Sequence, residues 1–146
     1  MIRLQLTPLH TIQDARDQLQ TAIGVEFGTL PPYLYALYSI RPGTNPQATA
    51  LIKSVVLQEM IHMCLASNIL NALNGAPAVH PQKYPGYLPG DIGPDHERLL
   101  LHLYPFSPLA MEQGMNIEQP ENPPDFPIKA MLAAAPAGKA VTIGQF

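Results

Sequence analysis

The chain has 146 residues, a net charge of −3, 47% hydrophobic and 13% charged side chains, which describes one domain, residues 1–146, able to bury a core without covalent staples. No basic excess points to nucleic acid or to an anionic membrane, so neither is expected as a partner. The single cysteine, Cys64, excludes an intrachain disulfide, fits a reducing compartment and is expected as a small core residue; with no signal-peptide pattern after Met1, a cytoplasmic protein is expected.

Residues 1–10 suggest an extended lead-in, with Leu4, Leu6 and Leu9 free to lie against a core. A helix is predicted over about 11–40. Thr11-Ile12-Gln13-Asp14 has the form of a capping box, and Asp14 and Asp17 place negative charge where the helix dipole favours it. Leu19, Ala22, Ile23, Leu30, Tyr33 and Leu37 form its apolar stripe. Glu26 falls on that stripe with no basic residue beside it. Pro31 and Pro32 cannot donate to carbonyls one turn back, so a kink or restart is expected at 31–32, with Thr29 able to cap the restart. Tyr33 stands two turns after Glu26 on the same face, within reach of a carboxylate or simply as core. Arg41-Pro42-Gly43 makes a turn.

A second long helix is predicted over 44–74, ending at Asn74-Gly75 with Pro77 beyond. Steps of three and four from Ile52 place Val55, Val56, Glu59, His62, Met63, Ala66, Ile69 and Leu70 on one stripe. Glu59 and His62 thus share an apolar face, where an unpaired carboxylate costs several kcal/mol. A metal ion is a partner that removes that cost. Glu-x-x-His aimed inward from a bundle helix is the ligand pair of di-iron carboxylate proteins, because residues three apart stand one turn above each other. The plainer alternative is a Glu–His hydrogen bond that fixes a helix contact. Although apolar, the run is interrupted by Gln58, Glu59, His62, Ser67 and Asn68, so no membrane span is expected.

Residues 76–146 carry twelve of the 17 prolines. Residues 78–94 have a Pro or Gly every few positions and are expected as a long crossover loop. His80, His96 and His102 lack ligand-spaced partners and are expected as surface or core histidines. Leu99 to Leu103 is apolar and of undecided type. Ser107-Pro108 is an N-cap followed by Pro at the first helical position, and a third helix is predicted over 107–118. Met111, Met115 and Glu118 share its stripe. Pro-rich and Ala-rich stretches follow to Phe146.

Taken in series, Glu26-Phe27-x-Thr29-Leu30-Pro31-Pro32-Tyr33-Leu34, Glu59-Met60-x-His62-x-x-Leu65-Ala66-x-Asn68-Ile69-Leu70 and Gly75-x-Pro77 resemble the ferritin-like domain named after iminophenyl-pyruvate dimer synthases of bisindole pigment biosynthesis. Pro105-Phe106-Ser107, Ile117-Glu118-x-Pro120-Glu121 and Thr142-Ile143-Gly144-x-Phe146 resemble its later landmarks. The resemblance implies an all-α ferritin-like bundle with a carboxylate and histidine metal site. Residue by residue, Glu26, Glu59 and His62 fall on the first half of that site and Glu118 on the carboxylate of the third helix. The family continues past the Thr-Ile-Gly-x-Phe stretch into a further ligand-bearing helix, whereas this sequence ends there.

The expected architecture is therefore a long antiparallel hairpin, a short third helix and Pro-rich loops, completed by a homodimer or higher homo-oligomer. A two-metal bundle needs a Glu from each of two helices and Glu-x-x-His from two others; two hairpins supply that set, leaving Glu118 spare or behind the ligands. The expected cofactor is iron, two ions per site, with manganese as the other choice. Three functions follow: a non-haem di-iron oxidoreductase using oxygen or peroxide on an amino-acid-derived small molecule, a non-catalytic dimerisation or interaction module, and iron storage.

Overall fold

The computed structural model describes residues 9–79, 86, 88 and 100–118. Three helices make up its regular structure: α1 (Ile12–Ser39), α2 (Pro46–Ala72) and α3 (Pro108–Ile117), with no strand among the described residues. The fold is all-α, as the periodicity implies. Leu4, Leu6, His80, His96 and the stretches 89–99 and 119–146 lie outside the described residues, as does most of the expected crossover loop. Leu9 is 62% exposed rather than packed.

The capping box forms as expected. Thr11 Oγ1 accepts from the Asp14 N–H at 3.1 Å, and Asp14 Oδ2 accepts from the Thr11 N–H at 2.7 Å and the His10 N–H at 3.0 Å. Hydrogen bonding from Thr11 and His10 holds the Asp14 carboxyl below its ordinary pKa. Of the kink or restart expected at 31–32, the restart is absent, since one helix runs through both prolines. Burial accounts for the difference. Thr29, Leu30, Pro32 and Tyr33 are all buried, and Leu30 and Tyr33 pack with Ile52 and Val56 of α2. Burying such side chains returns about 1.5–3 kcal/mol each, the size of the penalty of a proline in a helix.

The turn from α1 to α2 uses Gly43 at φ +79° and Asn45 at φ 48°, both left-handed, before Pro46 opens α2. α2 ends in a Schellman motif: the Gly75 N–H donates to the Leu70 carbonyl at 2.9 Å and the Asn74 N–H to that of Asn71 at 2.9 Å. Asn74, at φ 57°, takes the left-handed position. Gly75 is needed for a different reason, because a Cβ there would overlap the Leu70 side chain. Arg16 Nε donates to the Leu73 carbonyl at 2.8 Å, tying the start of α1 to the end of α2, so the two helices are antiparallel.

Two apolar clusters lie along this hairpin. One gathers Val25, Leu30, Tyr33, Ile52, Val56, Leu88, Leu101 and Ile117; the other gathers Ile23, Ala66 and Leu70. In sequence Glu59 and His62 fall between the two groups on α2, and Glu26 directly follows Val25 of the first group on α1. α3 begins as predicted, with Ser107 Oγ accepting from the Ala110 N–H at 3.3 Å and Pro108 next. Its Gly114 faces the Tyr33 ring, where an added Cβ would stand 3.3 Å from a ring carbon. Cys64 is exposed, not core, because it points away from the side of α2 that meets α1. By length and composition alone α2 is apolar enough to cross a membrane; here it packs along α1.

Candidate metal centre

The α1 stripe carries Glu26 inward and the α2 stripe carries Glu59 opposite it. Glu59 is 5% exposed, among the most enclosed charged side chains described. Its Oε2 accepts from Thr29 Oγ1 at 2.5 Å. The same hydroxyl is 2.8 Å from the Glu26 carbonyl, an alternative acceptor. His62 Nδ1 lies 3.6 Å from Glu26 Oε2 and 3.9 Å from Glu59 Oε1. Among the described residues His62 is the only ion-pair partner of either carboxylate.

One ligand atom from each of Glu26, Glu59 and His62 lies within 4.8 Å of the others. Ligands bound at about 2.0–2.2 Å stand up to roughly 4.4 Å apart around one ion, so this spacing needs little adjustment to close on a cation. Two carboxylates with one imidazole are a donor set for iron, manganese or zinc. The residues therefore fit a first-row metal. Burial, then the negative charge of Glu59, raises Glu26 from the ordinary 4.5 to about 8. A divalent cation would offset both causes.

The expected ligands do not all come together. Glu26, Glu59 and His62 do. His62, expected on the buried stripe, has 52% of its side chain open, because it sits at the stripe's edge rather than its centre. Glu118 stands outside the group of three. It caps the C-terminus of α3, is exposed as a residue, and its Oε1 accepts from the Tyr33 hydroxyl at 2.6 Å. Enclosure of its carboxyl end raises its pKa, against the lowering effect of the Tyr33 bond, and the charges of Glu59 and His62 reach it. Burial, then the Glu118 charge, pushes the Tyr33 hydroxyl far above its ordinary range, so it remains a donor. His102 is exposed, its ring 5.2 Å from that of Tyr104, and Gln113 holds its backbone on both sides at 2.8 and 2.9 Å.

Thr29 is the residue the sequence reading placed in another role. Expected to cap a helix restart, it instead lies inside the unbroken α1 and is the hydrogen-bond donor to Glu59. Its position three residues after Glu26, on the same stripe, was the available signal.

A helical hairpin that buries opposed carboxylates beside a histidine is the arrangement from which bundle proteins build sites between facing helices. The chain belongs to the ferritin-like family, whose model, described as "Ferritin-like", matches residues 19–146. No curated protein and no solved structure is matched.

Proposed function

We propose that this ferritin-like chain binds iron or manganese through Glu26, Glu59 and His62, with Glu118 the nearest further carboxylate. The observation that carries it is the buried Glu59 beside Glu26 and His62, three donors within 4.8 Å. Apolar enclosure of two carboxylates is costly unless a proton or a cation joins them. A bound iron supplies the activation of oxygen or peroxide, and the motif resemblance to iminophenyl-pyruvate dimer synthases supports an oxidoreductase acting on an amino-acid-derived metabolite. Within such a site Thr29 orients Glu59 and Tyr33 holds the Glu118 carboxylate.

The alternative of a non-catalytic interaction module has one observation in its favour, the open apolar side of α2. Elemental analysis of protein purified without chelator tests the main reading. Wild type should retain iron or manganese, and Glu59→Ala and His62→Ala should lose it. Unchanged metal content in Glu59→Ala would remove the ligand assignment. Oxygen uptake on adding Fe(II) then separates an oxidoreductase from a passive site.

A further inference from the structure

Two hydroxyls of α1 hold one carboxylate oxygen each. Thr29, fully buried, donates to Glu59 Oε2 at 2.5 Å, and Tyr33, one turn further along the same face, donates to Glu118 Oε1 at 2.6 Å. The other oxygen of Glu59 is turned toward the donor group, since Oε1 is the atom 3.9 Å from His62 Nδ1, and Glu26 Oε2 lies 3.6 Å from the same nitrogen. The two oxygens of Glu59 are therefore unequal. Oε1 faces the histidine, whereas Oε2 is engaged on α1.

That division limits how many ions the group takes. A carboxylate that joins two cations gives an oxygen to each, and one that chelates gives both to the same cation. With Oε2 held by Thr29, Glu59 has one oxygen to give. Glu118 is the next carboxylate and stands outside the group, its Oε1 held by Tyr33 in the same way. Among the described residues Glu26, one oxygen of Glu59 and His62 remain as donors around one point. Three protein donors with an open position left over hold one ion.

The Thr29 bond also has a reason to persist once a cation is present. Its hydroxyl lies 2.8 Å from the Glu26 carbonyl as well, but that carbonyl stands one turn before the Leu30 N–H in an unbroken helix and already has a donor. A carboxylate that ligates a metal is ionised, and a bond to an ionised acceptor is roughly twice as strong as one between neutral groups. Thr29 keeps donating to Glu59.

Resting on the metal reading above, we infer that Thr29 is a positioning residue that confines Glu59 to one metal-binding oxygen, so that the Glu26, Glu59 and His62 group takes a single transition-metal ion. The sequence motif led to an expectation of an ion pair. Glu-x-x-His spacing specifies which side chains face inward, but not how many of their oxygens are free.

The test uses the full chain loaded with Mn(II), read by elemental analysis, electron paramagnetic resonance and the infrared difference between loaded and metal-free protein. Wild type is expected to hold about one ion per chain, with the resonance pattern of an isolated Mn(II) and the widely split carboxylate stretches of one-oxygen ligation. Thr29→Val, which keeps the shape and releases Oε2, should narrow that splitting as Glu59 chelates; Thr29→Ser, which keeps the hydroxyl, should match wild type. A purely structural Thr29 would leave the bands in place, so an unchanged splitting in Thr29→Val overturns the positioning role. A spin-coupled Mn(II) pair in wild type overturns the single ion and leaves the metal reading standing. The resonance measurement needs no variant and decides the single ion even if Thr29→Val does not fold, in which case Thr29→Ala carries the infrared comparison. Mn(II) bound by no form overturns the metal reading and the single ion with it.

Discussion

Glu59 and Glu26 occupy one apolar layer, yet their surroundings differ in a way that fixes how each responds to change. Glu59 accepts from the Thr29 hydroxyl, a bond to a buried acceptor whose loss costs about 1–3 kcal/mol. Thr29→Val should therefore lower the stability of metal-free protein by about that amount in urea unfolding, and by less once a cation neutralises the carboxylate; equal losses with and without metal would count against a cation at Glu59. Glu26 sets the pH response. Its folded pKa of about 8 exceeds the ordinary 4.5, so the folded chain binds this proton more tightly than the unfolded chain. The resulting stability is complete below about pH 4.5 and is lost as pH rises through about 8, the reverse of a salt-bridged carboxylate. The melting temperature of metal-free protein should fall from pH 5 to pH 8, and Glu26→Gln should flatten most of that slope, the remainder belonging to Glu118, whose pKa is also raised. Metal competes with the same proton, so apparent metal affinity should rise over the same interval. A wild-type slope retained by Glu26→Gln would assign the proton to another group.

At the scale of elements, α3 meets the hairpin through Ile117 and Met111 in the apolar cluster and where Tyr33 meets Gly114 and Glu118. A side chain at Gly114 has only the ring of Tyr33 to enter. Gly114→Val should push α3 outward, cost about 1–3 kcal/mol through overpacking, and detach Glu118 from Tyr33. Tyr33→Phe gives a cleaner comparison, since it removes the hydrogen bond and keeps the ring; similar stability losses in the two variants would mean that the bond, not the close approach, places α3. The features legible in the sequence were those set locally or by periodicity: the Thr11 and Ser107 caps, the two long helices, and Glu26, Glu59 and His62 as a group. The continuous α1 was not legible, because proline statistics describe a helix alone whereas burial of Leu30 and Tyr33 against α2 decides this one. For the same reason His62 emerged half open and Cys64 exposed. A period of 3.6 residues identifies a stripe, but the width of the stripe that a neighbour covers depends on how the helices pack. Glu118 illustrates the remaining gap, since its pairing spans 85 residues from Tyr33 and no local pattern carries it.

For the molecule as a whole, a layer holding Glu26 and Glu59 is enclosed among apolar side chains of a hairpin of modest size, and that layer should be a weak point of the metal-free fold. Replacing a buried ion pair by apolar residues of similar volume is often neutral or stabilising by about 1–4 kcal/mol, and here the partner that would be left behind, His62, is half open to solvent and so not stranded. Glu59→Leu applies this to the layer's most buried member. The substitution leaves Thr29 an acceptor, the Glu26 carbonyl at 2.8 Å, so no donor is stranded, and it removes the negative charge that helps raise Glu26. Metal-free Glu59→Leu should therefore be at least as stable as metal-free wild type in urea unfolding at pH 7. Adding Mn(II) should reverse the order, because an ion bound only by the folded state stabilises wild type in proportion to the logarithm of its concentration and finds too few donors in the variant. By contrast, Ile23→Ala, in the fully buried end cluster, should cost about 2–5 kcal/mol whether metal is present or not. If metal-free Glu59→Leu proved markedly less stable than metal-free wild type, Glu59 would be a structural hydrogen-bonding residue of the core, and the case for a cation in this layer would fall with it.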